Sequence, residues 1–178
     1  MSEVMLDLET MSTDSRASIL TLGAIKFTRG DPIIPLEKCD SFYRRIDLKS
    51  CQRLGMVSSN DTIKWWDDQS VEARYEAFDN PDRTPLRVAL VEFTQWFRGT
   101  QKIWAHGDDF DCVILANAFT VCGLTVPWKF WNTRDTRTIY DLGGVRMSDL
   151  PQNNAHHALH DCHRQIVGIQ KSLDNLKL

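Results

Sequence analysis

The sequence predicts an α/β domain built on a mixed five-stranded sheet with helices on both faces. Three observations carry this. The first 47 residues hold three strand-like segments joined by short turns, which suggests an antiparallel meander. The middle of the chain then turns to helical spacing, and the remainder alternates strand, helix, strand, helix. The 178 residues, 42% hydrophobic and 25% charged, suit one globular domain spanning 1–178.

Each element has its own signal. In residues 3–9, Val4, Leu6 and Leu8 point one way, and Met5, Asp7 and Glu9 the other. Residues 18–27, SILTLGAIKF, are the second strand, and Gly30–Asp31–Pro32 marks the turn after it. Residues 40–47, DSFYRRID, are the third. Short helices are expected over 59–68 and 70–78. Thr84 is read as a cap, with Pro85 at the first helical position. Leu86, Ala89, Leu90, Phe93 and Phe97 recur at helical spacing, and Gly99 closes that helix. KIWAHG, 102–107, is a strand, and 110–122 an apolar helix stopped by Gly123. A fifth strand is expected at 129–134 and a short helix at 136–142, then a loop over 143–154. A final helix covers about 157–175.

Composition excludes several classes. No apolar run approaches the roughly 20 residues of a membrane helix. Met1–Ser2–Glu3 carries an acid where a signal peptide carries basic residues, so no export is expected. Five dispersed cysteines without a C-x-x-C pair read as free thiols of a reducing cytosol. A net charge of −3 argues against binding nucleic acid through bulk charge. It leaves room for an enzyme that gathers acids at one site.

The acids fall into a pattern. Asp7 and Glu9, two apart on a strand, leave the same face, where like charges raise each other's pKa unless a cation lies between them. Asp111, in WAHGDDFDCVIL, falls in the first turn of a helix that follows a strand end, a common place for α/β active sites. AHHALHDCHR gathers four of the five histidines. His156, His160 and His163 form one stripe of a continuous helix and offer a zinc alternative. His156 and Asp161 would diverge by about 140° on one helix, so they share a site only if the helix begins after His156. His106 precedes Asp111 at the same spacing and is a competing base.

Taken in order, DLET (Asp7, Glu9), FD before apolar residues (Phe110, Asp111) and H-x-A-x-x-D (His156, Ala158, Asp161) resemble the DEDDh family of 3′–5′ exonucleases. TIKWWDDQSVEAR (62–74) and RDTRTIYDL (134–142) are similar to a phage and bacterial branch of exoribonuclease-like proteins and phage exodeoxyribonucleases. The resemblance implies a ribonuclease-H-like fold. It implies that Asp7, Glu9, Asp111 and Asp161 hold two Mg²⁺ or Mn²⁺ ions, with Glu9 also among the catalytic residues and His156 as general base. The implied reaction releases nucleoside 5′-monophosphates from 3′ ends of single-stranded DNA or RNA, with DNA favoured by the phage-like segments. Thr10, Met11, Trp65, Trp66, Phe110 and Arg134, with Arg137 as a further phosphate contact, are the expected substrate contacts. Met11–Ser12 replaces the more usual Thr-Gly after the acids, and Met11 falls where the family often places an apolar wedge. On a helix Trp65 and Trp66 diverge by about 100°, so at most one faces the site. The resemblance leaves the oligomeric state open between a monomer and a homodimer, as among relatives, and implies a place in bacterial or phage-infected host cytosol. A nucleic-acid-binding module without catalysis is the rival from another class, beside the zinc-binding one.

Overall fold

The computed structural model describes residues 2–152 and 156–178; residues 153–155, the end of the loop expected before His156, lie outside the described residues. The strands are β1 (Glu3–Thr10), β2 (Ile19–Phe27), β3 (Ser41–Arg45), β4 (Ile103–Ala105) and β5 (Thr133–Asp135). They form one sheet in the order β3-β2-β1-β4-β5. β1, β2 and β3 pair antiparallel, while β4 and β5 run parallel to β1. The helices are α1 (Leu48–Arg53), α2 (Asn60–Asp67), α3 (Val71–Arg74), α4 (Leu86–Phe97), α5 (Asp111–Val121), α6 (Thr136–Gly143) and α7 (Ala158–Leu176). The mixed five-stranded α/β architecture expected from the sequence is therefore present.

The alternation along β1 divides the interior. Val4, Leu6 and Leu8 belong to a core with Leu90, Phe93 and Phe97 of α4 and Ile114, Leu115 and Phe119 of α5. Met5 faces the other layer, with Trp104, Tyr140 of α6, and Cys162, Ile166 and Ile169 of α7. A smaller cluster joins Met11, Leu20, Trp66, Ala73 and Ala77 beyond the end of β1.

Some boundaries differ from the sequence reading, each for a local reason. Thr84 does not cap α4. Its carbonyl accepts the Asp47 amide and its own amide bonds to the Arg45 carbonyl, so it continues the edge of β3. Ser50 Oγ accepts the Leu86 amide at 2.9 Å instead. Residues 130–132 form a 3₁₀ turn, which delays β5 to Thr133. The helix expected over 70–78 breaks into α3 and a π-helical turn, Tyr75–Asp79.

One contact brings α7 onto the sheet. Gly23 stands opposite Asp7 in the β1–β2 register. A Cβ at Gly23 would lie 2.7 Å from the Ala158 carbonyl carbon and Cβ. The missing side chain thus lets the N-terminus of α7 lie directly against β2. The Cys162 thiol bonds to the Gly23 and Met5 carbonyls there, at 3.4 and 3.6 Å. Overpacking of this kind destabilises by roughly 1–3 kcal/mol. Gly23→Ala is therefore expected to lower the urea midpoint by a corresponding amount. An unchanged midpoint would show that α7 does not seat at this glycine.

Candidate active site

Four carboxylates from three separate elements gather at one end of the sheet. Asp7 and Glu9 leave β1 on the α7 side, as their alternation with Met5 dictates. A register irregularity between Glu9 and Thr10 ends the regular pairing beside them. Asp161 lies in the first turn of α7. Carboxylate oxygens of Asp7, Glu9 and Asp161 lie within 4.8 Å of one another. Asp111 is the first residue of α5, and its Oδ1 accepts the Leu8 amide at 3.0 Å. That amide is free because β4 ends at Ala105 and pairs with β1 only at Val4 and Met5. The short strand thus creates the vacant donor that holds Asp111 against β1.

The grouping is electrostatically unfavourable by itself. Burial, then the charges of Asp111, Glu9 and Asp161, hold the Asp7 carboxyl far above the usual carboxylate range. Burial and the charges of Asp161 and Asp111 push Glu9 up to about 8. Asp111, 4% exposed, is pushed up to about 7 by burial, against the stabilising Leu8 amide. Burial raises Asp161 as well, with His156, Arg164 and the backbone amides of His156 and His157 opposing it. Crowded, largely buried oxygen ligands are a fitting donor set for hard divalent cations.

α7 begins at Ala158, with His157 at its N-cap, so His156 stands on the preceding loop. His156 has a left-handed backbone, φ 62°, a conformation histidine adopts more readily than most residues. The turn brings its amide to Asp161 and its ring edge-on to Trp65, with centroids 4.8 Å apart. His156 and Asp161 thus meet, as their spacing required.

Residues 2–172 match the family model of the 3′–5′ exoribonuclease Rv2179c-like domain. The chain belongs to this family. The family is one of 3′–5′ exonuclease domains of the DEDDh, ribonuclease-H-like type. The Rv2179c-like chain is 25% identical over 206 residues to the exodeoxyribonuclease of Enterobacteria phage T4, covering 97% of this chain and 89% of the phage protein. Among solved structures it is similar to the zinc-bound E. coli exonuclease I–single-stranded DNA complex, with TM-score 0.69, 15% identity and 97% of this chain covered. Exonuclease I of Methylocaldum szegediense gives 0.63, 12% and 97%. The chain spans about 40% of the length of these exonuclease I chains.

The other expected contacts of this Rv2179c-like domain divide. Trp65 is 43% exposed beside His156. Trp66 is 2% exposed, and its Nε1 donates to the Thr10 carbonyl at 3.0 Å. This corrects the substrate-facing expectation for Trp66: the ring has no free face. Met11 is likewise buried in the cluster with Trp66, and Thr10 donates its hydroxyl to the Ser12 carbonyl at 2.8 Å. Their side chains serve packing and the turn after β1. Phe110 packs at the start of α5 against the α4–α5 core. Arg134 donates to the carbonyls of Trp131 and Thr133, so its guanidinium is held locally. The charge of Arg137 acts on Asp111.

The histidine stripe does not form. His156 lies off the helix, and His163 bonds to the Ile34 carbonyl at 2.8 Å. His157 stacks on Tyr43, with centroids 4.9 Å apart. Among the described residues, the convergent ligand groups are Asp7–Glu9–Asp161 and Asp108–Asp109–Asp135, and neither includes histidine. His106 is engaged by Thr136 Oγ1 at 2.7 Å. Sequence reasoning missed Gln165, whose Nε2 donates to Asp7 Oδ1 at 2.8 Å. Its spacing of four from Asp161, one helical face, was the available signal.

The raised carboxylates give a pH dependence of defined sign. A carboxyl whose folded pKa exceeds its unfolded value contributes stability that is lost as pH rises through the folded pKa. For Glu9 and Asp111 the window runs from the ordinary 4.5 and 3.8 to about 8 and about 7. Metal-free Glu9→Gln should therefore melt above the unaltered chain by a margin that grows from about pH 5 to about pH 8. Each kcal/mol gained corresponds to roughly 2–4 °C. Mn²⁺ should narrow the margin by stabilising the unaltered chain. A margin independent of pH in thermal melts would contradict the placement of Glu9.

Proposed function

We propose that this chain is a single-domain, divalent-metal-dependent 3′–5′ exonuclease that releases nucleoside 5′-monophosphates from single-stranded nucleic acid, with DNA preferred. The supporting observation is the convergence of Asp7, Glu9, Asp111 and Asp161 with His156 beside them on a loop. Asp7, Glu9, Asp111 and Asp161 would hold two Mg²⁺ or Mn²⁺ ions. When bound, such a pair activates a water and stabilises the departing 3′-oxygen of an in-line displacement. Glu9 serves as both ligand and orienting group for the nucleophile. His156 accepts the proton of the attacking water, a task for which an imidazole held on a loop is suited. Trp65 offers an exposed ring on which a base can stack.

The phage T4 relative, an exodeoxyribonuclease aligned over nearly both chains, favours DNA. The single-stranded DNA in the E. coli exonuclease I complex is consistent with a single-stranded substrate. The family description as an exoribonuclease favours RNA as the second reading. No described helix is long and apolar enough to cross a membrane. We place the activity in bacterial or phage-infected host cytosol.

Digestion of 5′-labelled single-stranded DNA and RNA, with Mg²⁺, Mn²⁺ or chelator, tests polarity, sugar preference and metal need together. Metal-dependent shortening from the 3′ end with mononucleotide release is expected, faster on DNA. Asp7→Ala should abolish cleavage while the circular dichroism spectrum stays unchanged. Cleavage in chelator, or by the Asp7 variant, would contradict the reading.

Two substitutions separate the roles of chemistry and binding. His156→Ala should lower kcat by about 10²–10⁴-fold with Mn²⁺ binding retained. Trp65→Ala should raise KM for an oligonucleotide by roughly 5- to 150-fold, the equivalent of about 1–3 kcal/mol of stacking. Unchanged steady-state parameters in either variant would remove that residue from the site.

A further inference from the structure

Asp7 receives a side-chain hydrogen bond from a neutral group, and this bond sits within a wider clamp. Gln165 follows Asp161 by one turn of α7 and is 3% exposed. Its Nε2 donates to Asp7 Oδ1 at 2.8 Å, and its Oε1 has no hydrogen-bond partner among the described residues. The two amide atoms share one carbon and lie about 2.2 Å apart. The vacant acceptor is therefore no more than about 5 Å from the Asp7 oxygen that Nε2 holds.

The residue is itself held in place. Its backbone carbonyl accepts the Tyr140 hydroxyl at 2.7 Å. Gly168, one turn on, leaves the room that the Tyr140 ring occupies. Cys162, one turn before, is bonded to the carbonyls of Met5, two residues before Asp7 on β1, and of Gly23, the partner of Asp7 on β2. The helix face carrying Gln165 is thus fixed to the strand carrying Asp7.

A neutral amide at this position does what a lysine or arginine could not. It orients a carboxylate without cancelling its charge, so the attraction for a cation is kept. It also donates at every pH, since the amide does not titrate. A buried acceptor left without a partner costs roughly 1–3 kcal/mol, so one here calls for a partner.

We propose that Gln165 is a positioning residue for metal binding: its amide N–H fixes the Asp7 carboxylate for divalent cations, and its Oε1 accepts a hydrogen bond from water at the occupied site. This rests on the metal-dependent reading above. Hydrogen bonds that orient metal ligands are typically worth 10–100-fold in metal affinity.

The test is Mn²⁺ titration calorimetry on the full chain, followed by activation of mononucleotide release by Mn²⁺. Gln165→Met, similar in volume but without the amide, should weaken the Mn²⁺ Kd by about 10–100-fold. The half-saturating Mn²⁺ should rise equally, with KM for the oligonucleotide unchanged at saturating metal. Tyr140→Phe removes the bond to the Gln165 carbonyl while sparing the amide, and should weaken Mn²⁺ binding far less than Gln165→Met. Thermal melting of both metal-free variants verifies that they fold. Unaltered Mn²⁺ affinity in Gln165→Met would overturn the inference, as would equal weakening in Tyr140→Phe. An unaltered chain that binds no Mn²⁺ would instead overturn the metal reading, and this inference with it.

Discussion

Mutual repulsion among buried carboxylates governs this molecule. Burial disfavours ionisation of Asp7, Glu9, Asp111 and Asp161, the charges of neighbouring acids of the group add to this at Asp7 and Glu9, and the fold nonetheless brings them together. Such an arrangement is poor structural design for an isolated chain. On the proposed function it is what lets an acidic protein approach an acidic polymer. Two divalent cations offset four carboxylates, and the phosphodiester then meets a site near neutrality instead of a negative cluster.

The fold assembles this repulsive group through small omissions. Gly23 lacks the Cβ that would hold α7 away from the sheet, so Asp161 comes down beside Asp7. β4 stops short, so the Leu8 amide is left for Asp111. α7 starts at Ala158 and not earlier, so His156 turns on a loop toward Asp161. Each arrangement is anchored by hydrogen bonds away from the acids, such as Tyr140 to the Gln165 carbonyl and Trp66 to the Thr10 carbonyl. Stability supplied elsewhere in the fold holds the strained centre in place.

Much of this was legible in the sequence because it depends on periodicity. The alternation in β1 put Asp7 and Glu9 on one face, and the strand-to-helix junction singled out Asp111. Helical geometry required a break between His156 and Asp161, and the structure has it. What depends on tertiary packing was not legible. The 100° between Trp65 and Trp66 says that they diverge, not which one turns inward; the Thr10 carbonyl decides that. Thr84 looked like a cap because its chemistry suits one, but pairing beside Arg45 claimed its backbone. Arg134 carries the charge expected of a phosphate contact, yet neighbouring carbonyls hold it. Gln165 shares a helical face with Asp161, but its bond to Asp7 follows only once α7 lies against β1.

The most direct check on the central claim is anomalous diffraction at the manganese edge from crystals of the chain grown with Mn²⁺. Two peaks should lie among the Asp7, Glu9, Asp111 and Asp161 carboxylates, about 3.5–4 Å apart. A map without manganese between those four side chains, at Mn²⁺ concentrations that support cleavage, would contradict the claim that cations relieve their repulsion.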